Sequence, residues 1–415
     1  MTDALDLHLS GDERALYAQT HALARTTLAP IAAAAPAPGR VDRPLIAALA
    51  EYGLLGRLFA TPDPTVSAMT LCLIREALAR ACTEAETAFA LQGLGAYPIL
   101  LAGSDELRHH WIPRVADGTA VAAFALTEPD AGSDPAALAL SAEPDGAGGY
   151  LLSGEKLWIS NAPDADVYTV FARTDPEAPG ARGLTAFAVP GDADGLTGEP
   201  KTLLSPHAIG SLTFDEVPVS ADQVLGEPGR GFRVAMTTLT LFRPSVGAFG
   251  IGMARAALDL AAAYALTRTT FGKTLSEHQA LAHRLAELTA RTHAARLLVH
   301  QAARAHDAGL SDPGLAAMAK LLATEVAQQA VDAAVQVHGA IALEHGHPLE
   351  HLYRDVRAPR IYEGASEIQR EIIARGLFDR ARAGMTETTE TAETAETTET
   401  AETAETAETA ETAAR

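Results

Sequence analysis

The sequence has 415 residues, of which 47% are hydrophobic and 20% are charged, and its net charge at pH 7 is −21. This length predicts about two or three domains, and the composition is ordinary for a globular protein. A strong negative charge without a basic patch argues against a nucleic-acid-binding function.

The acidic charge is partly local, and the cysteine content excludes further classes of protein. Residues 386–415 carry nine glutamates and one arginine, which supply −8 of the net charge.

Cys72 and Cys82 lie in an apolar helical stretch, which predicts buried free thiols rather than a disulfide or a metal site. The first residues lack the pattern of a signal or transit peptide, and the apolar runs are short. We therefore expect a cytoplasmic protein without a membrane span.

Residues 1–120 have the apolar spacing of helices and are predicted to form an N-terminal helical domain. The first helix begins at Gly11 and is expected to end at Pro30, because proline removes a helical hydrogen bond. Pro44 begins the second helix, and a Pro-rich connection follows at residues 60–64. The predicted helices span residues 11–28, 44–49, 69–81, 84–91 and 105–111.

At residue 121 the pattern changes to short runs rich in β-branched and aromatic residues, separated by Gly, Pro and Asp. Few helical patterns intervene, so residues 121–232 are predicted to form a compact antiparallel β domain. No Gly-x-Gly-x-x-Gly motif follows a strand, and residues 226–231 are interpreted as a turn into the next domain. The predicted strands span residues 121–127, 150–160, 167–173, 184–190 and 212–219.

Long alanine-rich helices with short connections predict a four-helix bundle at residues 233–384. Asp312 followed by Pro313 is a strong helix-start signal. Ser366 is a predicted N-cap, with Gln369 as its capping-box partner. The four predicted helices span residues 233–268, 276–308, 312–337 and 366–383.

Residues 385–415 repeat Thr, Ala and Glu with a three-residue period and have no apolar stripe to bury. We expect this tail to be disordered, with a partner-binding segment as the alternative. Its removal should leave the melting temperature and turnover unchanged.

Glu363 lies in a glycine-containing turn directly before the predicted helix start at Ser366. The helix dipole favours the charged carboxylate, whereas burial in an apolar pocket raises its pKa. A carboxylate under these opposed influences can accept a proton from carbon at neutral pH. The alternative is a structural role, because most glutamates near helix starts act as caps or dipole partners.

Three histidines close in sequence, His345, His347 and His351, raise the question of a metal site. They lack the helix-spaced, carboxylate-supported pattern of metal ligands. We interpret them as surface residues and predict no metal.

Four short motifs stand in a fixed order along the chain. They are residues 126–134 (LTEPDAGSD), 154–161 (GEKLWISN), 268–273 (RTTFGK) with Gln279, and 361–364 (IYEG) with 367–370 (EIQR). Together with the succession of helices, sheet and helices, they resemble the acyl-CoA dehydrogenase family over about residues 10–380. The pattern is closest to the short- and medium-chain members, and it implies their α+β multidomain fold.

The resemblance implies FAD as the cofactor. Trp158 and Ser160 alternate on one strand and should share a face, on which Trp158 would pack on the flavin and Ser160 hydrogen-bond near its N5. Hydroxyls of the first motif suit the polar edge of the ring. The structural alternatives are an ordinary serine turn for the first motif and a core position for Trp158. The implied cofactor residues are Phe124, Leu126, Thr127, Ser133, Trp158, Ser160, Arg268, Phe271, Gln279, Gln336, Gly339, Ala365 and Glu367.

In the family, FAD lies extended across a subunit interface. The resemblance assigns Arg268, Phe271 and Gln279 of one subunit, and Gln336 and Gly339 of the other, to the pyrophosphate and adenine. It also implies a homodimer or homotetramer, and reoxidation by an electron-transferring flavoprotein.

The implied reaction is α,β-desaturation of an acyl thioester. Glu363 would remove the α-proton while the β-hydrogen leaves as hydride to flavin N5. The Glu363 backbone N–H and a ribityl hydroxyl would polarise the thioester carbonyl. Arg243 occupies the family position beside the base, and its neighbour Phe242 leaves that earlier helix without an acid. The implied substrate residues are Ser133, Phe89, Ala90, Leu94, Arg243, Tyr362 and Gly364.

Some residues depart from the family pattern and leave alternatives open. Residues 201–210 lack the polar groups usual over the CoA arm, so an acyl carrier protein is an alternative carrier. Ala365 stands where threonine is common. Bulky Phe89 and small Ala90 favour short or branched acyl groups. A flavin oxidase or oxygenase, and a non-enzymatic binding module, are the other functions considered.

Overall fold

The computed structural model describes residues 4–35, 39–59, 66–205 and 207–383. Helices form the first part of the chain, a sheet the middle, and long helices the last part. This confirms the predicted α+β multidomain class. The Pro-rich connection at residues 60–64 and the tail at residues 385–415 lie outside the described residues.

The described residues of the N-terminal part form six α-helices. They are α1 Gly11–Leu23, α2 Ala29–Ala33, α3 Arg43–Glu51, α4 Ala68–Ala79, α5 Thr83–Ala102 and α6 Asp105–Ala116. The predicted end at Pro30 is wrong, because a π-helical turn, Ala24–Leu28, leads from α1 directly into α2. Pro30 is the second residue of α2, where a missing N–H is tolerated.

Helix α5 is longer than predicted, because its glycines allow close packing and do not end the helix. A Cβ added at Gly95 would lie 2.5 Å from the backbone nitrogen of Ala123, so α5 rests directly on the first strand of the sheet. A Cβ at Gly93 would lie 2.9 Å from Cζ of Phe242. These contacts tie the helical part to both later parts of the chain.

The middle part is one eight-stranded sheet in which β3, β4 and β5 have the predicted bounds. Its strands are β1 Ala122–Ala125, β2 Ser141–Pro144, β3 Tyr150–Ser160, β4 Val167–Arg173, β5 Leu184–Pro190, β6 Leu196–Pro200, β7 Ile209–Val219 and β8 Val224–Leu225. The sequence analysis missed β2, β6 and β8, which are short and partly polar.

The prediction of an antiparallel sheet is wrong for two strand pairs, both of which involve β4. Strand β1 pairs with β4 in parallel, with Ala122 opposite Val167, and β2 meets β4 in parallel at Ser141. The chain passes through β2 and β3 between β1 and β4, and this long excursion returns it in the same direction. The remaining pairings in this sheet are antiparallel.

The last part is a helical bundle. Its helices are α7 Gly231–Thr267, α8 Gln279–Asp307, α9 Pro313–His338, α10 Pro348–Asp355 and α11, residues 366–383. The predicted start of α9 is confirmed, since the Asp312 side chain accepts a 2.7 Å hydrogen bond from the Gly314 N–H. Small residues bring α7 and α9 together: a Cβ at Gly250 would lie 3.2 Å from the Ala323 carbonyl oxygen.

Helix α7 is, within the described residues, long and apolar enough to cross a membrane by length and composition alone. However, 67% of its most apolar window is buried inside the protein. A core helix passes the same test, and we interpret α7 as the central helix of the bundle.

A short hairpin that the sequence analysis missed connects α7 to α8. Its strands are β9 Thr269–Thr270 and β10 Lys273–Thr274, and Phe271 and Gly272 form the turn with positive φ values of 52° and 79°. Phe271 is 97% exposed. The hairpin therefore presents an aromatic ring to the outside of the chain.

Candidate active site

The turn that carries Glu363 has an unusual backbone. Glu363 has φ 52° and Gly364 has φ 93°, so two successive residues adopt left-handed conformations. This region costs a non-glycine residue free energy, and such residues persist only where the surroundings hold them. The strain therefore points to side chains that fix this turn.

Two buried side chains hold the turn through its carbonyl oxygens. Lys320 Nζ, on α9, donates to the carbonyls of Tyr362 at 2.9 Å and Gly364 at 2.6 Å. Gln369 Nε2, on α11, donates to the carbonyls of Gly364 at 2.8 Å and Glu363 at 3.3 Å. All three carbonyls from residue 362 to 364 are thus bound, and Glu363 is fixed from both sides.

The predicted N-cap at Ser366 is wrong. Ser366 is already helical, and its hydroxyl donates to Glu325 Oε1 at 2.8 Å, beside Arg360 Nε at 3.0 Å. Gln369 completes no capping box, because its amide serves the carbonyls of the turn. The serine instead joins the start of α11 to α9.

The Glu363 carboxylate is surrounded by cations but makes no hydrogen bond through one of its oxygens. Its Oε2 is buried and has no hydrogen-bond partner among the described residues. Burial raises the pKa of Glu363 above its ordinary value, and the nearby cations Arg75, Lys320 and Arg243 lower it only in part. The predicted effect of burial is confirmed. An unpartnered carboxylate with a raised pKa is suited to accept a proton.

Arg243 joins this cluster of charges from α7. It is buried, and its Nε has no hydrogen-bond partner within the described part of the chain. Burial lowers the pKa of Arg243, and Glu363 opposes that shift. The structure thus brings together the two residues that the sequence analysis assigned to catalysis.

A buried ion pair near Glu363 was missed by the sequence analysis. Arg75 of α4 and Glu86 of α5 form a salt bridge, and Arg75 Nη1 donates to Ser245 Oγ at 2.6 Å. Burial raises the pKa of Glu86 to about 7, although Arg75 opposes this. The only local signal was a charged residue at an otherwise apolar helical position.

The motif at residues 126–134 is held by a second buried ion pair. Lys156 Nζ donates to Glu128 Oε1 at 2.7 Å and to the Leu126 carbonyl at 3.0 Å. Glu128 also accepts from the backbone of Ala139 and Leu140 at 2.6 and 3.0 Å. Burial lowers the pKa of Lys156 to about 8. The turn is therefore held by a buried ion pair and several hydrogen bonds, which is more than an ordinary serine turn has.

The structure brings the first two motifs side by side. The Leu157 N–H donates to the Thr127 carbonyl at 3.0 Å, so the turn lies against β3 next to Trp158. Phe124, Leu126 and Thr127 are partly exposed, and Ser133 is exposed. Their polar groups are available to a ligand on this side of the sheet.

Trp158 lies at an irregularity of β3, while the exposure of residues 158–160 alternates as predicted. The register of β3 shifts between Lys156 and Ile159, and Trp158 has φ 59°. Ile159 is buried, while Trp158 is 49% exposed and Ser160 is partly exposed. The core alternative for Trp158 is therefore wrong, and its indole offers a free surface to a planar ring.

The residues predicted to contact the FAD pyrophosphate and adenine lie at two exposed places on the bundle. Arg268 caps α7, Phe271 forms the hairpin turn, and Gln279 begins α8. Gln336 is exposed on α9, and Gly339 follows that helix with φ 71°. All five residues are exposed and therefore accessible to an external partner or ligand.

Ala365 and Glu367 flank the start of α11. Ala365 is partly exposed, and the Glu367 side chain is 77% exposed with Arg370 Nη1 at 3.2 Å. Glu367 therefore acts in this chain as a surface partner of Arg370. Its predicted contact with FAD stays a prediction.

The predicted acyl-pocket residues lie on α5 and beside the turn. Phe89 and Ala90 are buried, and Leu94 and Tyr362 are partly exposed. Phe242 packs in the same region, with its ring 6.2 Å from that of Tyr97. Their contacts with substrate stay predictions.

Of the three histidines, His345 is exposed, whereas His347 and His351 are partly buried. His351 Nε2 lies 3.1 Å from Asp355 and 3.2 Å from Glu84, which raises its pKa. Ser205 donates to the same Asp355, so residues 201–210 are tied to α10. No cluster that could hold a metal occurs among the residues the structure describes.

Comparison with known proteins agrees with this geometry. Three acyl-CoA dehydrogenase domain models match the chain: the N-terminal domain at residues 10–119, the middle domain at 123–217 and the C-terminal domain at 229–378. Cyclohexane-1-carbonyl-CoA dehydrogenase of Geobacter metallireducens is 36% identical over 365 residues, which are 86% of this chain and 95% of that protein.

Solved structures show the same relationship. Butyryl-CoA dehydrogenase from Megasphaera elsdenii superposes with a TM-score of 0.83 at 31% identity, covering 89% of this chain and 99% of that one. The FAD complex of PigA superposes with a TM-score of 0.83 at 28% identity, covering 90% and 99%. The chain therefore belongs to the acyl-CoA dehydrogenase family, the FAD-dependent oxidoreductases that act on the CH–CH bond of an acyl thioester.

Proposed function

We propose that this enzyme converts an acyl-CoA to a trans-2-enoyl-CoA by α,β-desaturation, and that Glu363 is its catalytic base. The observation that carries the proposal is the buried, unpartnered Oε2 on a turn fixed by Lys320 and Gln369. A base that makes no internal hydrogen bond keeps its lone pairs for the substrate. The fixed turn holds the carboxylate in place before substrate arrives.

The Glu363 backbone supports a second role. Its N–H donates to no residue that the structure describes, while the N–H groups of Ile361 and Tyr362 both donate to Ala358. We assign this free N–H to the thioester carbonyl, where it stabilises the charge that develops as the α-proton leaves. One residue would thus supply both the base and an oxyanion donor.

The exposed face of Trp158 and the rigid turn at residues 126–134 fit an isoalloxazine ring. Trp158 would pack against the ring, and Thr127, Ser133 and Ser160 would supply polar contacts at its edge. FAD, when bound, supplies the acceptor for the β-hydride. The residues of this chain orient the thioester and remove its α-proton.

We further propose a homodimer or homotetramer, an electron-transferring flavoprotein as the electron acceptor, and a cytoplasmic location. The 97% exposure of Phe271 supports an oligomer, because a free aromatic ring on a hairpin tip gains free energy from a partner surface. Buried Phe89 beside small Ala90 supports short or branched acyl groups.

The test is anaerobic mixing of the purified flavoprotein with short and branched acyl-CoAs. The proposal predicts bleaching of flavin absorbance, one enoyl product per flavin, and slow recovery when air is admitted. Fast recovery in air would indicate an oxidase. A preparation without flavin absorbance would indicate a binding module, and faster bleaching by the same acyl group on an acyl carrier protein would reassign the carrier.

A further inference from the structure

The buried pair of Arg75 and Glu86 joins three helices beside the catalytic turn. The pair links α4 to α5, and the 2.6 Å bond from Arg75 Nη1 to Ser245 Oγ links both to α7. Ser245 Oγ in turn donates to the Phe242 carbonyl at 2.7 Å. Arg75 and Glu86 are only 2% and 1% exposed. The guanidinium is therefore fixed in one orientation.

This guanidinium has donor capacity left over. Its hydrogen bonds within the described part of the chain use Nε and Nη1, and no described residue accepts one from Nη2. In the same cluster, Arg243 Nε and Glu363 Oε2 are buried and have no hydrogen-bond partner among the described residues. Unpartnered buried polar groups are costly and rare in proteins. Two in one cluster, beside an arginine with an unused donor, indicate a place where a polar ligand atom belongs.

The cluster lies next to the place where the acyl chain is expected. Glu86 precedes Phe89 and Ala90 by three and four residues on α5, so all three share one face of that helix. Arg75 is also the cation with the largest influence on the Glu363 carboxylate. The guanidinium is thus paired with the helix that carries the predicted acyl-pocket residues, and it acts electrostatically on Glu363.

We propose that Arg75 is a substrate-recognition residue, whose free Nη2 donates to a neutral oxygen, a hydroxyl or keto group, on the acyl chain. This inference rests on the proposed function and narrows its substrate class. The enzyme then prefers oxygen-bearing acyl thioesters over plain alkyl ones of the same length. A site built around a buried donor discriminates against a substrate that leaves it unpaired.

The charges around the site favour a neutral acceptor over a carboxylate. Glu86 already balances the charge of Arg75. A substrate carboxylate bound there would stand near two protein carboxylates, Glu86 and Glu363. A hydroxyl or keto oxygen accepts the hydrogen bond without that repulsion.

The experiment measures flavin reduction by four CoA thioesters of equal chain length with the FAD-loaded enzyme. They are hexanoyl-CoA, 5-hydroxyhexanoyl-CoA, 5-oxohexanoyl-CoA and adipoyl-CoA. We expect kcat/KM for the hydroxy or oxo substrate to exceed that for hexanoyl-CoA by at least about 10-fold, from the strength of a hydrogen bond to a charged group. Equal values, or a preference for adipoyl-CoA, overturn the inference.

Two variants test the role of Arg75 itself. The double variant Arg75→Met with Glu86→Gln removes both charges and leaves neither uncompensated. It should lose the preference, so that the ratio of the two kcat/KM values falls to within about twofold of one. The matched Glu86→Gln variant keeps Arg75 and should keep the preference while accepting adipoyl-CoA better. Retention of the ratio in the double variant contradicts the inference.

Failure of this inference can be separated from failure of the proposed function. If no thioester bleaches the flavin, the proposed function fails. If hexanoyl-CoA bleaches it as well as the oxygenated substrates do, the enzyme is a dehydrogenase and only the role of Arg75 is wrong. Because the wild-type ratio is decisive alone, the test survives poor folding of a variant.

Discussion

Two buried glutamates in this protein stand among cations and have opposite pKa shifts. Glu76, on α4, accepts from Arg296 Nε at 2.8 and 2.9 Å and from Arg255 Nη1 at 2.6 Å. Burial alone would raise the pKa of Glu76, but Arg296, His300 and Arg255 hold it far below its usual range.

Glu363 also has three cations nearby, yet its pKa is raised. The difference is that two of these cations, Lys320 and Arg75, bond elsewhere, and Arg243 donates no hydrogen bond to Glu363. Lys320 donates to backbone carbonyls and Arg75 to Glu86 and Ser245, which leaves Oε2 of Glu363 without a partner. A buried carboxylate is structural when its hydrogen bonds are satisfied, and reactive when the neighbouring donors are used for other purposes.

The largest expected effect comes from making the same substitution at both carboxylates. Glu76→Gln removes the buried anion that Arg296 and Arg255 share and leaves Arg296 only its ion pair with Asp6, so the free energy of unfolding should fall by about 3–5 kcal/mol. Glu363→Gln removes a carboxylate that the fold disfavours, so stability should stay within about 1 kcal/mol or rise. Chemical denaturation of both variants checks this. Equal losses would contradict the distinction.

A second prediction separates the role of Lys320, which holds the turn, from the role of Glu363 as the base. Lys320→Met removes both bonds to the carbonyls beside Glu363, so the rate of flavin reduction should fall by about 10- to 100-fold from misplacement of the base. Flavin content should be normal, because Lys320 contacts no predicted FAD residue other than through the turn. Lys320→Arg, which keeps a donor, should recover part of the rate. A stopped-flow rate of flavin reduction in Lys320→Met within twofold of the wild-type rate would show that the turn does not depend on Lys320.

The third prediction uses pH and expects the smallest effect. Only the deprotonated form of Glu363 accepts a proton, so the rate of flavin reduction should rise with pH through the raised pKa. Arg243 lowers that pKa, so Arg243→Met should move the rise to higher pH. A pH profile measured at saturating thioester checks this. A shift to lower pH would contradict the assigned electrostatics.

The sequence predicted those features whose signals are local. Alternating apolar residues marked β3 with its observed bounds, and Asp312 with Pro313 marked the start of α9. The glycine-containing turn before a helix singled out Glu363, but its assignment as the base came from the resemblance to the acyl-CoA dehydrogenase family. Each signal lies within a few residues of the feature it predicts.

Features set by tertiary contacts were missed or misread. Lys320 is separated from Tyr362 and Gly364 by 42 and 44 residues, and within α9 it looks like an ordinary polar helix residue. Ser366 looked like an N-cap because its partner Glu325 lies 41 residues away. Arg75 and Glu86 likewise acquire meaning only when α4 and α5 pack together.

The most direct test of the central claim is the rate of flavin reduction in Glu363→Gln. Glutamine keeps the size of the side chain and its packing but removes the basic carboxylate. With FAD bound and a thioester added anaerobically, we predict normal flavin content, retained thioester binding, and bleaching slowed by at least about 10²-fold. Bleaching at the wild-type rate would show that Glu363 is not the base.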